Sequence, residues 1–201
     1  MVRVLDEKGD GDIETVIRGI RWIREHRKTY NIRVVNISVG TLPHQGDEVE
    51  SELIKEVERL WDDGLTVVAA AGNYGPEWGS ITIPGVSKKI ITVGSSNDED
   101  EVEGNWNLRK SYSGRGPTSE CVVKPDLLAP GSGITSCNGR YKRTGKAYTV
   151  KSGTSMATPV VSGAIAVLLS KYPTMSNVEV KLRLRQTCVN LGLDKNRQGW
   201  G

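Results

Sequence analysis

The sequence predicts an α/β domain built on a largely parallel β-sheet. Two patterns support this fold class: short runs of β-branched and apolar residues alternate with segments of helical periodicity, and glycines or capping residues separate them. Strands that alternate with helices in this way are expected to lie parallel and to be joined by right-handed crossovers. A chain of 201 residues is long enough for one domain with a sizeable core.

Composition excludes several classes of protein. Hydrophobic residues make up 37% of the chain, too large and too regularly patterned a share for a disordered protein. The 27 basic and 24 acidic side chains leave a net charge of +3 with no concentrated basic face, which argues against a nucleic-acid partner. No apolar run reaches the ~18 residues of a membrane span, and residues 1–12 have no apolar core of the signal-peptide kind.

The first strand and the first helix are predicted close to the N-terminus. Residues 3–5 form a short candidate strand, and the Gly/Asp-rich residues 6–12 form a turn in which Asp12 can cap a helix. The apolar residues of that helix recur with a 3.6-residue period: Ile13, Val16, Ile17, Ile20 and Ile23. Arginines take its outer face and indicate a solvated surface rather than a phosphate site: Arg18, Arg21, Arg24 and Arg27.

Two further strands enclose a second amphipathic helix. The β-branched run 33–39 is closed by Gly40, and Gly64 follows the helix where a C-cap glycine belongs. The inward-facing residues of this helix are Val49, Leu53, Val57, Leu60 and Trp61. Residues 65–71 are almost wholly apolar, as in a strand covered on both faces, and residues 90–93 form another short strand.

The C-terminal third is predicted to hold two helices. A turn-rich stretch, 111–151, leads into a long apolar helix over about residues 155–171, which Pro173 ends. A last helix is predicted over about residues 176–188.

The segment before the long helix carries the strongest chemical signal. Residues 152–159 are Ser-Gly-Thr-Ser-Met-Ala-Thr-Pro. Gly153 lets another backbone or a substrate approach closely, and Ser155 lies beside the unpaired N–H groups and positive end of the helix. A nucleophile next to oxyanion donors is what acyl transfer requires. For an isolated serine, a simple N-cap would be the favoured interpretation.

This serine is not isolated, because the order of motifs along the chain resembles that of the subtilisin-like serine proteases, the subtilases (peptidase S8). The serine motif matches closely, and residues 69–73, Ala-Ala-Ala-Gly-Asn, resemble the family's oxyanion-asparagine strand. Further matching segments follow in the family's order: residues 4–6, 9–13, 19–22, 35–40, 83–85, 90–94, 112–113, 116–117 and 126–131. The resemblance implies a subtilisin-like three-layer α/β fold with a largely parallel sheet and its N-terminal part missing.

The resemblance also implies roles for the matched residues. Ser155 would be the acylating nucleophile of a serine endopeptidase, and Asn73 would donate its side-chain amide to the oxyanion beside the Ser155 N–H. An extended peptide or protein substrate would pair with the strand end formed by Ser38, Val39 and Gly40. The remaining substrate-binding positions implied are Ala70, Ala71, Gly72, Pro84, Gly85 and Thr154.

A general base is missing from this sequence. Serine needs a base oriented by a third group, and in subtilases the chain order is Asp, His, Ser. Neither the family's aspartate motif nor its His-Gly-Thr-His segment occurs. His26 lies among charged residues of the first helix and His44 in a loop, so both are predicted to be non-catalytic, while Asp126 belongs to a structural segment of the family.

Residues 1–201 are therefore predicted to be a partial catalytic domain that is truncated at both ends. Alone, this chain is expected to be inactive or nearly so. It is also expected to be less stable than the whole domain, or to self-associate through an incomplete sheet.

Several interpretations stay open. A non-catalytic subtilase-like domain that binds peptide or a partner protein is the alternative, although intact Ser155 and Asn73 argue against decay of the site. Residues 97–103 are rich in carboxylates that suit calcium, which the family often uses, but the spacing is not that of an EF-hand and a solvated loop is favoured. Substrate preference is open, because the residues after Gly85 depart from common family sequences.

The family is mostly secreted, which implies a secreted or cell-envelope parent protein. The three cysteines permit one disulfide or three thiols: Cys121, Cys137 and Cys188.

Overall fold

A computed structural model describes residues 1–7, 9–44, 48–99 and 110–201. Its helices and strands are, in chain order, α1 (Ile13–His26), β1 (Val34–Ile37), α2 (Glu48–Asp62), β2 (Thr66–Ala70), β3 (Ile91–Ser95), β4 (Leu127–Ala129), β5 (Ile134–Cys137), α3 (Tyr141–Thr144), β6 (Tyr148–Lys151), α4 (Thr154–Lys171), α5 (Asn177–Thr187) and α6 (Lys195–Gln198). The order of elements agrees with the α/β class predicted from the sequence.

The centre of the fold is a four-stranded parallel sheet in the order β1-β2-β3-β4. Every residue of β2 is buried, as expected for a strand that is covered on both faces. Helix α4 packs against all four strands, and α2 packs against β2. The carboxyl ends of these parallel strands share one edge of the sheet, which is where open α/β sheets place their ligands.

Helix α1 forms as the sequence predicts, and its polar face contacts α2 as well as solvent. Asp12 caps it by accepting a hydrogen bond from the backbone N–H of Thr15. Arg21 forms an ion pair with Glu56 of α2 at 3.0 Å, and Arg24 forms one with Asp63 at 2.8 Å. The outer-face arginines therefore help to join α1 to α2, which corrects the prediction of a purely solvated surface.

The predicted first strand, residues 3–5, does not form. These residues are coil that packs over α1, where the absence of a side chain at Gly19 makes room for Val4: a Cβ on Gly19 would lie 2.7 Å from a Val4 methyl. A cavity of about 910 Å³, lined mainly by apolar side chains, separates residues 1–5 from β1; we call it the β1 groove. One edge of β1 pairs with β2, and the groove lies between the other edge and residues 1–5. Residues 1–5 therefore pair with no strand among the described residues.

The C-terminal part contains helices and strands that were not predicted from the sequence. Helices α4 and α5 form within one or two residues of their predicted bounds. Strand β4 and the antiparallel hairpin of β5 and β6 lie inside the stretch expected to be turns, and α6 follows α5. All three cysteines are free thiols, which answers the question that their number left open.

Helix α4 is long and apolar enough to cross a membrane by length and composition alone, with a mean hydropathy of 1.2 over 18 residues. This differs from the expectation that no apolar segment reaches that length. Its inward residues Ala157, Val161 and Ile165 belong to the hydrophobic core, and the helix packs on the sheet. These contacts are those of the core helix of a folded domain.

Candidate active site

Ser155 lies in the first turn of α4, as the sequence predicts. The helix begins at Thr154, and its N-cap is Gly153, whose φ of 139° is a conformation that residues with side chains rarely adopt. The first N–H groups of a helix have no intrahelical acceptor, so the backbone N–H of Ser155 is left to face an incoming group. The half-buried Ser155 hydroxyl is thus presented beside the positive end of α4.

Reciprocal hydrogen bonds hold Ser155 against the carboxyl end of β1. The Ser155 hydroxyl donates to the Ser38 carbonyl oxygen at 2.9 Å, and the Ser38 hydroxyl donates to the Ser155 carbonyl oxygen at 3.1 Å. Asn36 supports this pair by donating from Nδ2 to the Ser38 hydroxyl at 2.8 Å. The nucleophile predicted from the serine motif and the predicted substrate strand therefore meet directly.

Asn73 follows β2 and is fixed by the residue before the serine. Its Oδ1 accepts hydrogen bonds from the backbone N–H of Thr154 at 2.9 Å and from the Thr154 hydroxyl at 3.1 Å. The Thr154 hydroxyl also accepts from the backbone N–H of Gly72 at 3.1 Å, so the threonine, which is fully buried, joins the end of β2 to α4. Since Oδ1 is occupied by donors, the Asn73 amide group Nδ2 is the end that can donate to another molecule.

These residues surround an open cleft of about 560 Å³. Most of the predicted substrate-binding residues line it: Ser38, Val39, Gly40, Ala70, Gly72 and Thr154. Ala71, Pro84 and Gly85 do not line it; they are buried, and a Cβ on Gly85 would lie 2.9 Å from the Ala70 carbonyl oxygen. The neighbouring Thr82 and Ile83 line the cleft instead; Ile83 belongs to the matched segment 83–85, whereas no sequence motif included Thr82.

Neither of the two histidines lines the cleft. His26 stacks between Trp22 and Tyr30 on α1, with ring centroids 4.2 and 6.1 Å away. His44 is exposed and does not line the cleft.

Asp126 also lies outside the cleft, in a buried network between β3 and β4. Its Oδ2 accepts from Lys124 Nζ at 2.6 Å and from the backbone N–H of Thr92 at 2.8 Å. Burial lowers the pKa of Lys124 to about 8, an effect that the neighbouring Asp126 carboxylate opposes.

The acidic loop is only partly described. Asn97 Oδ1 accepts from the backbone N–H groups of Gly131 and Ser132, and the buried Asp98 accepts from the Ser113 N–H and faces Arg197. The remaining acidic residues of the predicted calcium segment, 100–103, lie outside the described residues. Among the residues that are described, no three His, Cys, Asp or Glu side chains come together as a metal site, and the calcium interpretation of 97–103 stays a prediction.

Comparison with known proteins places this geometry in a family. The model described as "Subtilase family" (Peptidase_S8) matches residues 1–201. Serine protease AprX of Bacillus subtilis (strain 168) is 36% identical over 197 residues, which are 92% of this chain and 45% of AprX. Subtilisin DY of Bacillus licheniformis is 35% identical over 95% of this chain and 61% of its own length. The chain thus spans about half the length of the curated relatives that it matches.

Solved structures agree with the sequence comparison. Sphericase superposes with a TM-score of 0.73 at 28% identity, over 91% of this chain and 57% of its own. The S41 psychrophilic protease superposes with a TM-score of 0.72 at 29% identity, over 91% and 58%. The α/β arrangement around the cleft is therefore the fold of subtilisin-like proteases.

Proposed function

Because this chain belongs to the subtilase family, we propose that the protein that carries it is a serine endopeptidase whose acyl-enzyme forms on Ser155. The observation that carries this proposal is the Ser155 hydroxyl at the N-terminal end of α4, 2.9 Å from the Ser38 carbonyl oxygen and beside the fixed Asn73 carboxamide. The hydroxyl oxygen attacks the carbonyl carbon of the scissile peptide bond, its proton passes to a base, and the amine leaves after receiving a proton. Water then hydrolyses the ester.

The tetrahedral intermediate carries a negative oxygen, which two donors of this chain can bind. One is the backbone N–H of Ser155 and the other is Nδ2 of Asn73. The two hydrogen bonds from Thr154 to Asn73 Oδ1 support this role, because they orient the amide before substrate arrives. A donor that needs no reorientation stabilises the transition state more than a mobile one.

Substrate binding in the proposal uses the two cleft walls that follow β1 and β2. The end of β1, Ser38 to Gly40, offers backbone groups to an extended peptide, which would add to it as a strand. Ala70 and Gly72 form the opposite wall of the pocket for the residue on the acyl side of the scissile bond. Ala71, Pro84 and Gly85 support that wall from the buried side. A secreted or cell-envelope location for the parent protein stays a prediction from the family.

The proposal requires a histidine in the cleft, and neither histidine of the chain lines it; among the described aspartates Asp10 and Asp12 do line it, and Asp12 is the cap of α1. The chain alone is therefore expected to be inactive or nearly so. The β1 groove supports this view, because it runs along β1 towards Ser38 and leaves one edge of that strand open to a further strand. A strand inserted there in parallel would end close to Ser155, where the orienting carboxylate of a triad is needed.

The test compares the whole protein that contains this chain with its Ser155→Ala variant in a protein-hydrolysis assay. We expect hydrolysis by the natural protein and a loss of about 10⁶-fold in kcat for the variant, the magnitude known for the nucleophile of a subtilisin. Equal hydrolysis by both proteins would refute the proposal. Absent hydrolysis with retained peptide binding would instead support the alternative, a non-catalytic peptide-binding domain.

A further inference from the structure

Residues 134–151, which comprise β5, α3 and β6, form a concentrated basic surface that we call the basic hairpin. These eighteen residues contain five cationic side chains and no acidic one, whereas the net charge of the whole chain is only +3. The five cations are all exposed: Arg140, Lys142, Arg143, Lys146 and Lys151. This concentration of charge corrects the expectation that the chain has no concentrated basic face.

The cations of the basic hairpin have no carboxylate partner in the described part of the chain. Elsewhere, Arg21, Arg24 and Lys89 each lie within 3.0 Å of a carboxylate oxygen. Like charges that are grouped without counter-charges repel one another and disfavour the compact state. An anionic partner would relieve that repulsion.

The loop that carries the cations is held in shape by its own hydrogen bonds. Asn138 Nδ2 donates to the Thr144 hydroxyl and to the Lys146 carbonyl oxygen, both at 2.9 Å. The cations are therefore presented from an ordered loop. Large side chains that can make apolar contacts are exposed on the same hairpin: Tyr141, Tyr148 and Val150. Exposed tyrosines are enriched in protein interfaces.

The basic hairpin lies next to the reacting serine. Strand β6 ends at Lys151, four residues before Ser155. At the other side, Arg140 donates to the Glu7 carbonyl oxygen at 3.4 Å, and Glu7 lies just before the cleft-lining residues 9–13. A molecule bound to the hairpin would therefore also be close to the cleft.

We propose that the basic hairpin binds an acidic stretch of a protein substrate, outside the cleft in which the peptide bond is cut. This proposal rests on the proposed function, because it concerns the substrate of the same cleft. Carboxylates of the substrate would pair with the exposed cations, while the tyrosines contact its apolar atoms. A second contact of this kind raises the effective concentration of the substrate at the cleft.

The charges at the cleft favour a polypeptide over a nucleic acid. Asp10 and Asp12 line the cleft, and the hydrogen bond from the Thr15 N–H holds the pKa of Asp12 below its ordinary value, so that this side chain is charged. A nucleic acid is negative along its whole length and would meet these carboxylates. A polypeptide can place acidic residues on the hairpin and neutral or basic residues in the cleft.

Two triple variants test the proposal. The hairpin variant neutralises three exposed cations whose side chains make no hydrogen bond or ion pair with the described residues: Lys142→Gln, Arg143→Gln and Lys146→Gln. The control variant removes the same charge at exposed positions at the far end of α4 and on α5: Lys171→Gln, Arg183→Gln and Arg185→Gln.

The first measurement is the binding of a fluorescent decaglutamate peptide to the whole protein, by fluorescence anisotropy, with Ser155→Ala present to prevent cleavage. We expect saturable binding at low salt that the hairpin variant weakens about tenfold, since exposed ion pairs are individually weak and three are removed. The control variant should bind as the natural protein does. Salt at about 1 M should abolish binding, because it screens charges beyond about 3 Å.

The second measurement asks whether this site serves the substrate. In the whole protein with Ser155 intact, decaglutamate should raise KM for casein, an acidic protein, and leave hydrolysis of a short neutral p-nitroanilide unchanged. Equal weakening of binding by both variants, tighter binding of decathymidylate than of decaglutamate, or equal inhibition of both substrates would overturn the proposal. Decaglutamate binding without hydrolysis of either substrate would instead refute the proposed function, so the two failures can be told apart.

Discussion

At the scale of single residues, the hydrogen bonds of Asn73 decide which end of its side chain can bind another molecule. Two donors from Thr154 hold its Oδ1, so the amide end is presented without freedom to flip. A hydrogen bond that is already oriented contributes to the transition state and little to the ground state, since the substrate carbonyl carries less charge.

We therefore expect Asn73→Ala in the whole protein to lower kcat and leave KM nearly unchanged. The expected loss in kcat is about 10²- to 10³-fold, which is the loss known for removal of the corresponding oxyanion donor of a subtilisin. Steady-state kinetics on one peptide substrate provide the measurement. A change confined to KM would show that Asn73 binds substrate and is not an oxyanion donor.

The residues of the candidate site divide into those that the sequence could predict and those that it could not. Ser155, Asn73 and Ser38 stand in contiguous motifs, and the structure brings these three to one cleft. Thr82 was missed as a cleft residue because its place there depends on contacts with Gly40 and Gly72, which belong to two other segments of the chain. A short motif gives no information about such contacts.

At the scale of elements, helix α5 shows how local sequence fixes a boundary. The Ser176 hydroxyl accepts from the backbone N–H of Glu179, while the Glu179 carboxylate accepts from the backbone N–H of Ser176. This capping box satisfies donors that the start of a helix leaves unpaired.

Replacing Ser176 by alanine should lower the free energy of unfolding by about 1 kcal/mol, the usual contribution of an N-cap side chain. Denaturant titration of the variant against the natural chain checks this value. Ser170→Ala in the last turn of α4 is the matched control, because that hydroxyl donates only to the Val167 carbonyl oxygen, and its substitution should change stability little. Equal effects of the two substitutions would contradict the assignment of the cap.

The link between β3 and β4 depends on the buried Lys124. Its ammonium group donates to Asp126, Thr92 and the Ile90 carbonyl oxygen, and Asp126 keeps a second, more distant partner in Lys181 at 3.4 Å. Lys124→Met should lower stability by up to about 3–5 kcal/mol, because it leaves a buried carboxylate with only the Thr92 N–H and the more distant Lys181 as partners. Lys146→Met, at an exposed position, is the control and should have little effect.

The same lysine predicts how stability depends on pH. Burial lowers the pKa of Lys124 to about 8 in the folded chain, below its ordinary value of 10.5. Between these two values the unfolded chain binds more protons than the folded chain, so the stability contribution of Lys124 increases as pH rises through this window. Thermal unfolding between pH 8 and about 10 should show this rise in the natural chain and not in Lys124→Met. A parallel pH profile in both chains would contradict the prediction.

The elements also show where periodicity is sufficient and where it is not. Helices α1 and α2 have strongly periodic sequences and α4 has a long apolar one, and all three were predicted from these sequences. Residues 3–5 include the apolar pair Val4 and Leu5, yet a strand requires a neighbour for its hydrogen bonds, and the β1 groove separates these residues from β1. Strand β4 and the hairpin strands are only three or four residues long, too short for a period to appear.

At the scale of the whole molecule, several apolar surfaces lie outside the core. The β1 groove opens beside one edge of the sheet, and large apolar residues of the C-terminal helices and the segment after them are exposed, among them Val167 at 70% and Val189 at 73%. Contiguous exposed apolar surface favours association.

We therefore predict that the 201-residue chain self-associates as its concentration rises and melts broadly. Size-exclusion chromatography with light scattering, together with calorimetry, measures both properties. A monomer at high concentration with a sharp cooperative transition would disprove this prediction.

In the proposed function the cleft holds a nucleophile, oxyanion donors and a strand for substrate, and neither histidine of the chain lines it. The most direct test is labelling by a serine-directed fluorophosphonate, with the modified residue located by mass spectrometry. We predict labelling of Ser155 in the whole protein, and no labelling of the 201-residue chain above that of its Ser155→Ala variant. Rapid labelling of Ser155 in the isolated chain would contradict the account, because a base would then be present among these residues.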